Sequence, residues 1–285
     1  MGQEEKSRFP VLGKDQIVDA FYELKETKKL GLRSGLGKID ERIGGIWRDG
    51  IVVSGDPGAG KTMFCLNLAI GFATSGNRII YLDLENDWRD TVTASVSILL
   101  NKFEGDKAPR LKEIIDNPTL IVDNTHYWEL IHLYFQYFTL VDIRNLRVNP
   151  GLLRSWVKVA VQEREERGKQ VILFIDSINE LATVFSMNRG LYESLEKWLA
   201  EIKLIRAQYQ MPIVLVCHVP KDSTKEIFNP KGSSGIAHFA RTQIMIIRPH
   251  ARKIRAKILR AQFGNKGETE LAFDPDRLGI KGIEE

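Results

Sequence analysis

Ile51-Val52-Val53-Ser54 runs directly into Gly55-Asp56-Pro57-Gly58-Ala59-Gly60-Lys61-Thr62, and the apolar stretch Met63 to Ile70 comes next. β-Branched residues ahead of the loop predict a strand, and the stretch after it predicts a helix. The spacing G-x-x-x-x-G-K-T between those two elements is that of a phosphate-binding loop. Glycines let the backbone fold around an anion with its N–H groups turned inward, and the following helix presents its positive end to the same anion. Lys61 then reaches the β- and γ-phosphates, and the Thr62 hydroxyl is a ligand for Mg²⁺. A glycine-rich turn ending in Lys-Thr by chance is the competing reading, and both flanks weigh against it.

This loop commits the chain to an α/β sheet, and the remaining segments agree. Arg78 to Leu84, Val171 to Asp176 and Ile213 to His218 read as buried strands. Thr119 to Asp123 reads as another. Helices are expected over Asp15 to Lys28, Trp88 to Phe103, Leu152 to Arg167 and Leu191 to Gln208, with a short one in Leu36 to Ile46 closed by glycines. Strands this uniformly apolar, alternating with helices, predict a mostly parallel sheet covered on both faces. Gln243 to Ile247, Ala256 to Leu259 and Thr269 to Phe273 come after them without helices, the last two joined by Gly264-Asn265-Lys266-Gly267, so they predict an antiparallel C-terminal extension. Residues 1–33 are expected to be a helical extension and 34–285 the core. Residues 124–150 hold Tyr127, Trp128, Tyr134, Phe135, Tyr137 and Phe138, read as core or interface in preference to a base-stacking surface.

A phosphate cradle alone only binds; hydrolysis needs a second carboxylate near the metal and a group that activates water. Asp176 ends the most apolar strand, on the sheet edge that carries the loop, and is the candidate metal ligand beside Thr62. Glu85, at the end of the strand after the loop helix, is the candidate base. Asp83 is the weaker rival, because strand alternation should turn it away. His218 ends a further strand on the same edge and is a candidate sensor of the γ-phosphate. Lys61 completes the catalytic set, and the cradle is Gly55, Asp56, Pro57, Gly58, Ala59, Gly60, Lys61 and Thr62. The expected cofactors are ATP and Mg²⁺.

Leu36-Gly37-Lys38-Ile39-Asp40 with Gly44-Gly45, the loop itself, Ile175-Asp176-Ser177, and Cys217-His218-Val219-Pro220-Lys221 together resemble the RecA-like P-loop ATPase superfamily, in the branch of RadA/Sms, KaiC and the DnaB-type replicative helicases. The likeness runs from about residue 34 to about residue 275. It implies a RecA-like core, a catalytic glutamate at Glu85, a metal-binding aspartate at Asp176 and a homo-oligomer, either a ring (a hexamer) or a filament. Pro230 to Ala237 resembles the glycine-serine loop with which DnaB-type helicases track single-stranded DNA, so Lys221, Lys225, Lys231, Gly232 and Ser234 are candidate DNA contacts. The family also supplies a cationic finger across the subunit boundary. Arg260 stands at that place, while the usual second arginine is Gln262. A loader or primase is a further implied partner.

Charge has a distribution that the net +4 conceals. From Val219 to Arg260 there are ten Lys or Arg against two Asp or Glu; from 261 to 285 there are three against six. A basic excess that begins after the His218 strand suits backbone contact with a polymer. The stretch 248–257 is alternatively a subunit contact. Cys65 and Cys217 read as buried thiols of a reducing, cytoplasmic compartment, and no apolar run is long enough for a membrane span. Three functions stay open at this point: a helicase-like motor on single-stranded DNA, a KaiC-like regulatory ATPase without DNA, and a recombination mediator that binds DNA without unwinding it.

Overall fold

The computed structural model describes residues 31–46, 50–141, 149–165, 169–184, 190–219, 234–262 and 264–282. The chain divides after Gly31 into two compact units, and the second, Leu32–Glu285, holds every element described below. The expected helix at Asp15 to Lys28 lies outside the described residues, as do Lys221, Lys225, Lys231 and Gly232.

A short helix, α1 (Gly37–Ile43), leads into β1 (Ile51–Gly55) and the loop helix α2 (Lys61–Thr74). β2 (Arg78–Asp83) and α3 (Trp88–Glu104) come next, then α4 (Leu111–Asp116), α5 (Thr119–Val122), α6 (Thr125–Phe135) and β3 (Phe138–Val141). The second half runs α7 (Pro150–Glu165), β4 (Val171–Asp176), α8 (Ile178–Val184), α9 (Leu191–Tyr209), β5 (Ile213–His218), α10 (Ser234–Ala237), β6 (Thr242–His250), β7 (Lys253–Arg260), β8 (Gly267–Phe273) and β9 (Ile280–Gly282). Among the described residues, nine strands form one sheet in the order β3-β2-β4-β5-β1-β6-β7-β8-β9. β3 through β6 in that order are parallel, and β7, β8 and β9 are antiparallel to their neighbours. β6 therefore belongs to the parallel part, and the antiparallel extension starts one strand later than the sequence implies.

Alternation along each strand divides the core between the two faces. Val53, Tyr81, Phe174 and Val216 pack with α2 and α3 on one face. Val52, Leu82, Leu173 and Leu215 pack with α7 and α9 on the other. Both faces are covered, which is why β1, β4 and all but the last residue of β5 are buried throughout.

One expected strand is replaced by a helix. Thr119–Val122 is a single helical turn, α5, started by Pro118 and closed by Asp123 N–H donating to the Thr119 carbonyl at 2.8 Å. Only Ile121 of this turn is buried, against Val96, Leu100, Ala108 and Ile114. A five-residue apolar run carries no period long enough to separate strand from helix, and the preceding proline suits a helix start. The edge strand is instead β3, in the stretch of aromatics, where Phe138 is buried and its ring lies 6.0 Å from that of Tyr81. Tyr127, Tyr134, Phe135 and Tyr137 pack partly buried against the core, and Trp128 alone of the six is exposed.

The Leu36 to Asp40 motif has a structural explanation. Asp40 accepts hydrogen bonds from the Ser34 amide and hydroxyl, both at 2.9 Å, and from the Gly35 amide at 3.0 Å. Those bonds fold the segment before α1 back over α2, where a Cβ at Gly71 would lie 1.6 Å from the Ser34 carbonyl oxygen. Gly71→Ala is expected to lower the urea-unfolding free energy by about 2 kcal/mol or more, since the obstacle is backbone. Gly37→Ala, where an added Cβ meets nothing within 4 Å, is expected to be neutral in the same measurement.

Candidate active site

The tips of β1, β2, β4 and β5 come together at one edge of the sheet. Gly55 of β1 lies opposite His218 of β5, and Asp83 of β2 lies opposite Asp176 of β4. β5 separates β1 from β4, so the strand that carries the metal-binding candidate is one removed from the loop strand. This is the crevice beyond the carboxyl ends of parallel strands where α/β proteins bind ligands.

The loop is shaped by backbone that only glycine supplies. At Gly55 a Cβ would stand 2.5 Å from the Ile246 carbonyl oxygen, and Gly60 caps α2 with φ +91°. No side chain caps α2, so its first amides face the cradle without a side-chain acceptor. Lys61 is buried, and its Nζ donates to the Asp56 carbonyl at 3.0 Å, folded back over the loop. A β/γ-phosphate pair is a stronger acceptor than that carbonyl, and the lysine is already beside it.

Asp176 is 1% exposed. The Tyr81 hydroxyl donates to its Oδ2 at 3.0 Å, and the Thr62 side chain also hydrogen-bonds to it. Burial, and next the neighbouring charge of Asp83, push its carboxyl from an ordinary 3.8 up to about 7. A buried carboxyl facing a second carboxylate has the electrostatics of a site that a cation would complete. Thr62 and Asp176 are hard oxygen donors held in contact, which suits Mg²⁺, an ion that takes few protein ligands and fills its shell with phosphate and water. Among the described residues no group of three or more His, Cys, Asp or Glu could hold a metal.

Glu85 follows β2 by two residues. Its Oε1 lies 2.8 Å from His218 Nε2, and Ser177 also hydrogen-bonds to it. Burial works to raise this carboxyl, but the bonds from Ser177 and His218 together with the charges of His218 and Lys61 outweigh it and hold Glu85 below its ordinary 4.5. It is therefore an ionised acceptor at neutral pH. His218 is fixed from behind, its amide donating to Asn179 Oδ1 at 3.1 Å, while its Nδ1 is buried with no hydrogen-bond partner among the described residues. Asp83 is not turned away from this group. It is 5% exposed and accepts hydrogen bonds from the turn that carries Glu85.

Arg260 lies elsewhere. It pairs with Gln243 on β6, and Gln243 pairs with Val52 near the start of β1, so Arg260 sits toward the edge opposite the loop. It is exposed and makes no ion pair among the described residues. Ser234 opens α10, after the stretch that holds the other DNA-contact candidates.

Tyr81 and Asn179 escaped the sequence reading, and Ser177 entered it only within the Ile175-Asp176-Ser177 motif, with no role of its own. A tyrosine inside an aliphatic strand is the one available signal, because its buried hydroxyl needs a partner. The contacts of Ser177 with Glu85 and of Asn179 with His218 gave none, since they join strands that are distant in sequence.

A carboxyl edge with this loop, this buried aspartate and this glutamate defines a P-loop NTPase with a RecA-like fold. A family model described as AAA domain matches residues 22–224, and the chain belongs to that family. No curated protein sequence matches it. Among solved structures, it is similar to one described as an ATPase domain, with TM-score 0.74 and 14% identity over 95% of this chain and 98% of that one. It is also similar to a DnaB-like replicative helicase described with its interactions with primase, with TM-score 0.72 and 14% identity over 97% of this chain and 68% of that one. At such identity the likeness is one of fold, and the fold is that of DnaB-type helicase ATPase domains.

The position of Asp176 sets a pH dependence. Its folded value lies above its unfolded one, so between about pH 4 and about pH 7 the folded chain binds the extra proton, and stability falls as pH rises across that window. Asp40 is shifted the same way and Glu85 the opposite way. Urea titrations of the nucleotide-free, metal-free chain should show Asp176→Asn reducing the downward slope between about pH 5 and about pH 7, with its largest gain in stability above that window.

Proposed function

We propose that this chain is a Mg²⁺-dependent ATPase that drives a motor on single-stranded DNA, assembled as a homo-oligomeric ring, a hexamer, with ATP at the subunit boundary. The observation that carries the ATPase reading is the convergence of Lys61, the Thr62–Asp176 pair and the Glu85–His218 pair on one sheet edge.

The residues divide the work as their positions suggest. Loop amides from Gly55 to Gly60 and the α2 N-terminus grip the phosphates, and Lys61 leaves the Asp56 carbonyl to neutralise them. Thr62 and Asp176 would hold Mg²⁺, which supplies charge neutralisation at the transferring phosphoryl group. Glu85 accepts the proton of the attacking water. His218 hydrogen-bonds to Glu85 when no phosphate is near. A γ-phosphate oxygen is a competing acceptor for its ring, and the shift couples the nucleotide state to the segment that begins at Val219. Arg260, at the other edge of the sheet, reaches the site of a neighbouring subunit and adds positive charge there.

The DNA reading rests on Lys221, Lys225 and Lys231, with Gly232 and Ser234, in the segment after β5, and on the fold likeness to helicase ATPase domains. The remaining basic stretch contributes less than its charge count implies. Lys253, Arg255 and Lys257 of β7 pair with Glu268 and Glu270 of β8. That neutralisation favours the second reading, a regulatory ATPase that ignores DNA. A loader or primase is the further partner we propose, on the likeness to a helicase described with primase. Cys65 and Cys217 are free and buried, and no helix among the described residues is long and apolar enough to cross a membrane. A cytoplasmic location is proposed on the free thiols.

Phosphate release with and without single-stranded DNA tests the set. Lys61→Ala should abolish hydrolysis, and Glu85→Gln should bind ATP with turnover down by about 100-fold or more. Single-stranded DNA should stimulate the wild-type rate, and the double substitution Lys225→Glu with Lys231→Glu should remove the stimulation while leaving the DNA-free rate. An unstimulated wild type selects the regulatory reading. Mixing Arg260→Ala with Lys61→Ala, each inactive alone, should restore part of the activity, because some boundaries then combine an intact Lys61 with an intact Arg260 from the neighbour.

A further inference from the structure

Asp83 is the most heavily bonded carboxylate near the site, and the steps assigned above do not use it. Its Oδ1 accepts from the Glu85 amide at 3.1 Å, the Asn86 amide at 3.0 Å and Asn86 Nδ2 at 3.0 Å. Its Oδ2 accepts from Asn86 Nδ2 at 3.0 Å and from the Thr91 hydroxyl at 2.6 Å. Thr91 belongs to the first turn of α3 and is 2% exposed. These bonds do not serve as the helix cap, because Asp87 already caps α3 by accepting from the Arg89 amide. They close the turn from Asp83 to Asn86 instead, and Glu85 stands inside that turn. The Leu84 amide ties the same turn to the Asp176 carbonyl at 2.6 Å.

The arrangement carries a penalty. Asp83 lies opposite Asp176 in the sheet, and its charge raises the Asp176 carboxyl. A neutral residue would close an ordinary turn without that repulsion. A carboxylate makes stronger, charge-assisted bonds to amides and hydroxyls, which suits a turn that must hold one side chain to a fraction of an ångström. The Glu85 side chain is already met by His218 and Ser177. What remains to be fixed is its main chain, and Asp83 is the group that fixes it.

We infer that Asp83, through Asn86 and Thr91, is the positioning residue for Glu85: it anchors the backbone turn from which that carboxylate addresses the attacking water. The inference rests on Glu85 being the base. Asp83 itself stays out of proton transfer, since both its oxygens are occupied by donors.

Thr91→Val tests this with little change of shape, removing one hydroxyl and keeping the branch at Cβ. Steady-state ATP hydrolysis should show kcat down about tenfold with KM for ATP unchanged, the signature of misplaced catalytic geometry. Thr91→Ser, which restores the hydroxyl, should recover kcat to within about twofold of wild type by the same logic. In a Glu85→Gln background Thr91→Val should cause no further loss, because the two act as one unit. Asn86→Ala, at an exposed position, should give the same split between kcat and KM should the buried substitution unfold the chain. Unchanged kcat in Thr91→Val, a raised KM with kcat intact, or a full additive loss in the Glu85→Gln background overturns the inference. If Glu85→Gln alone hydrolyses ATP at the wild-type rate, the base assignment fails separately, and that result is read from the single variant.

Discussion

A carboxyl group buried at the tip of a parallel strand is unfavourable unless something positive meets it. Asp176 is that group here. The hydroxyls of Tyr81 and Thr62 satisfy its hydrogen bonds but bring no charge, and Asp83 alongside makes the charge harder to carry. A divalent cation, as proposed above, would complete such a site. The phosphates that would accompany that cation are the ligands the glycine loop is shaped to grip. Stability and function oppose each other at one residue, which is a common feature of sites built for chemistry.

The parallel sheet makes the convergence possible. Parallel strands deliver every carboxyl end to one edge, so residues far apart in sequence, from Gly55 to His218, come together at the tips of four adjacent strands, β2, β4, β5 and β1. The contact between Glu85 and His218 follows from that geometry: one comes from the turn after β2, the other from the end of β5, and β4 lies between. The same geometry carries Arg260 away from its own site. An antiparallel β7 returns toward the opposite edge, so its last residue lies away from the pocket of its own chain.

The parts of this site that depend on short, local patterns were legible in the sequence. The glycine loop declares itself by spacing, and Asp176 by its place after a fully apolar strand. His218 ends β5 and Glu85 stands two residues beyond β2, so both could be located from the apolar runs that precede them. What the sequence hid depended on tertiary context. Thr119–Val122 is apolar enough for a strand, yet a proline before it and one buried side chain within it make it a helical turn. Phe138 opens the true edge strand from inside an aromatic run that has no clear period. Alternation in fact keeps Asp83 on the face of β2 that carries Tyr81, whose hydroxyl meets Asp176, and the turn after β2 closes back on its carboxylate. The basic stretch after β6 looked free because its partners, Glu268 and Glu270, come from the next strand.

On the proposed reading Asp176 and Thr62 would hold a metal carried in with a triphosphate, and calorimetric titration of a non-hydrolysable ATP analogue tests this most directly. With Mg²⁺ present, the wild-type chain should bind the analogue at least about tenfold more tightly than in EDTA, and Asp176→Asn should lose most of that difference. Equal affinity with and without the metal, or a full metal effect in Asp176→Asn, would contradict the account.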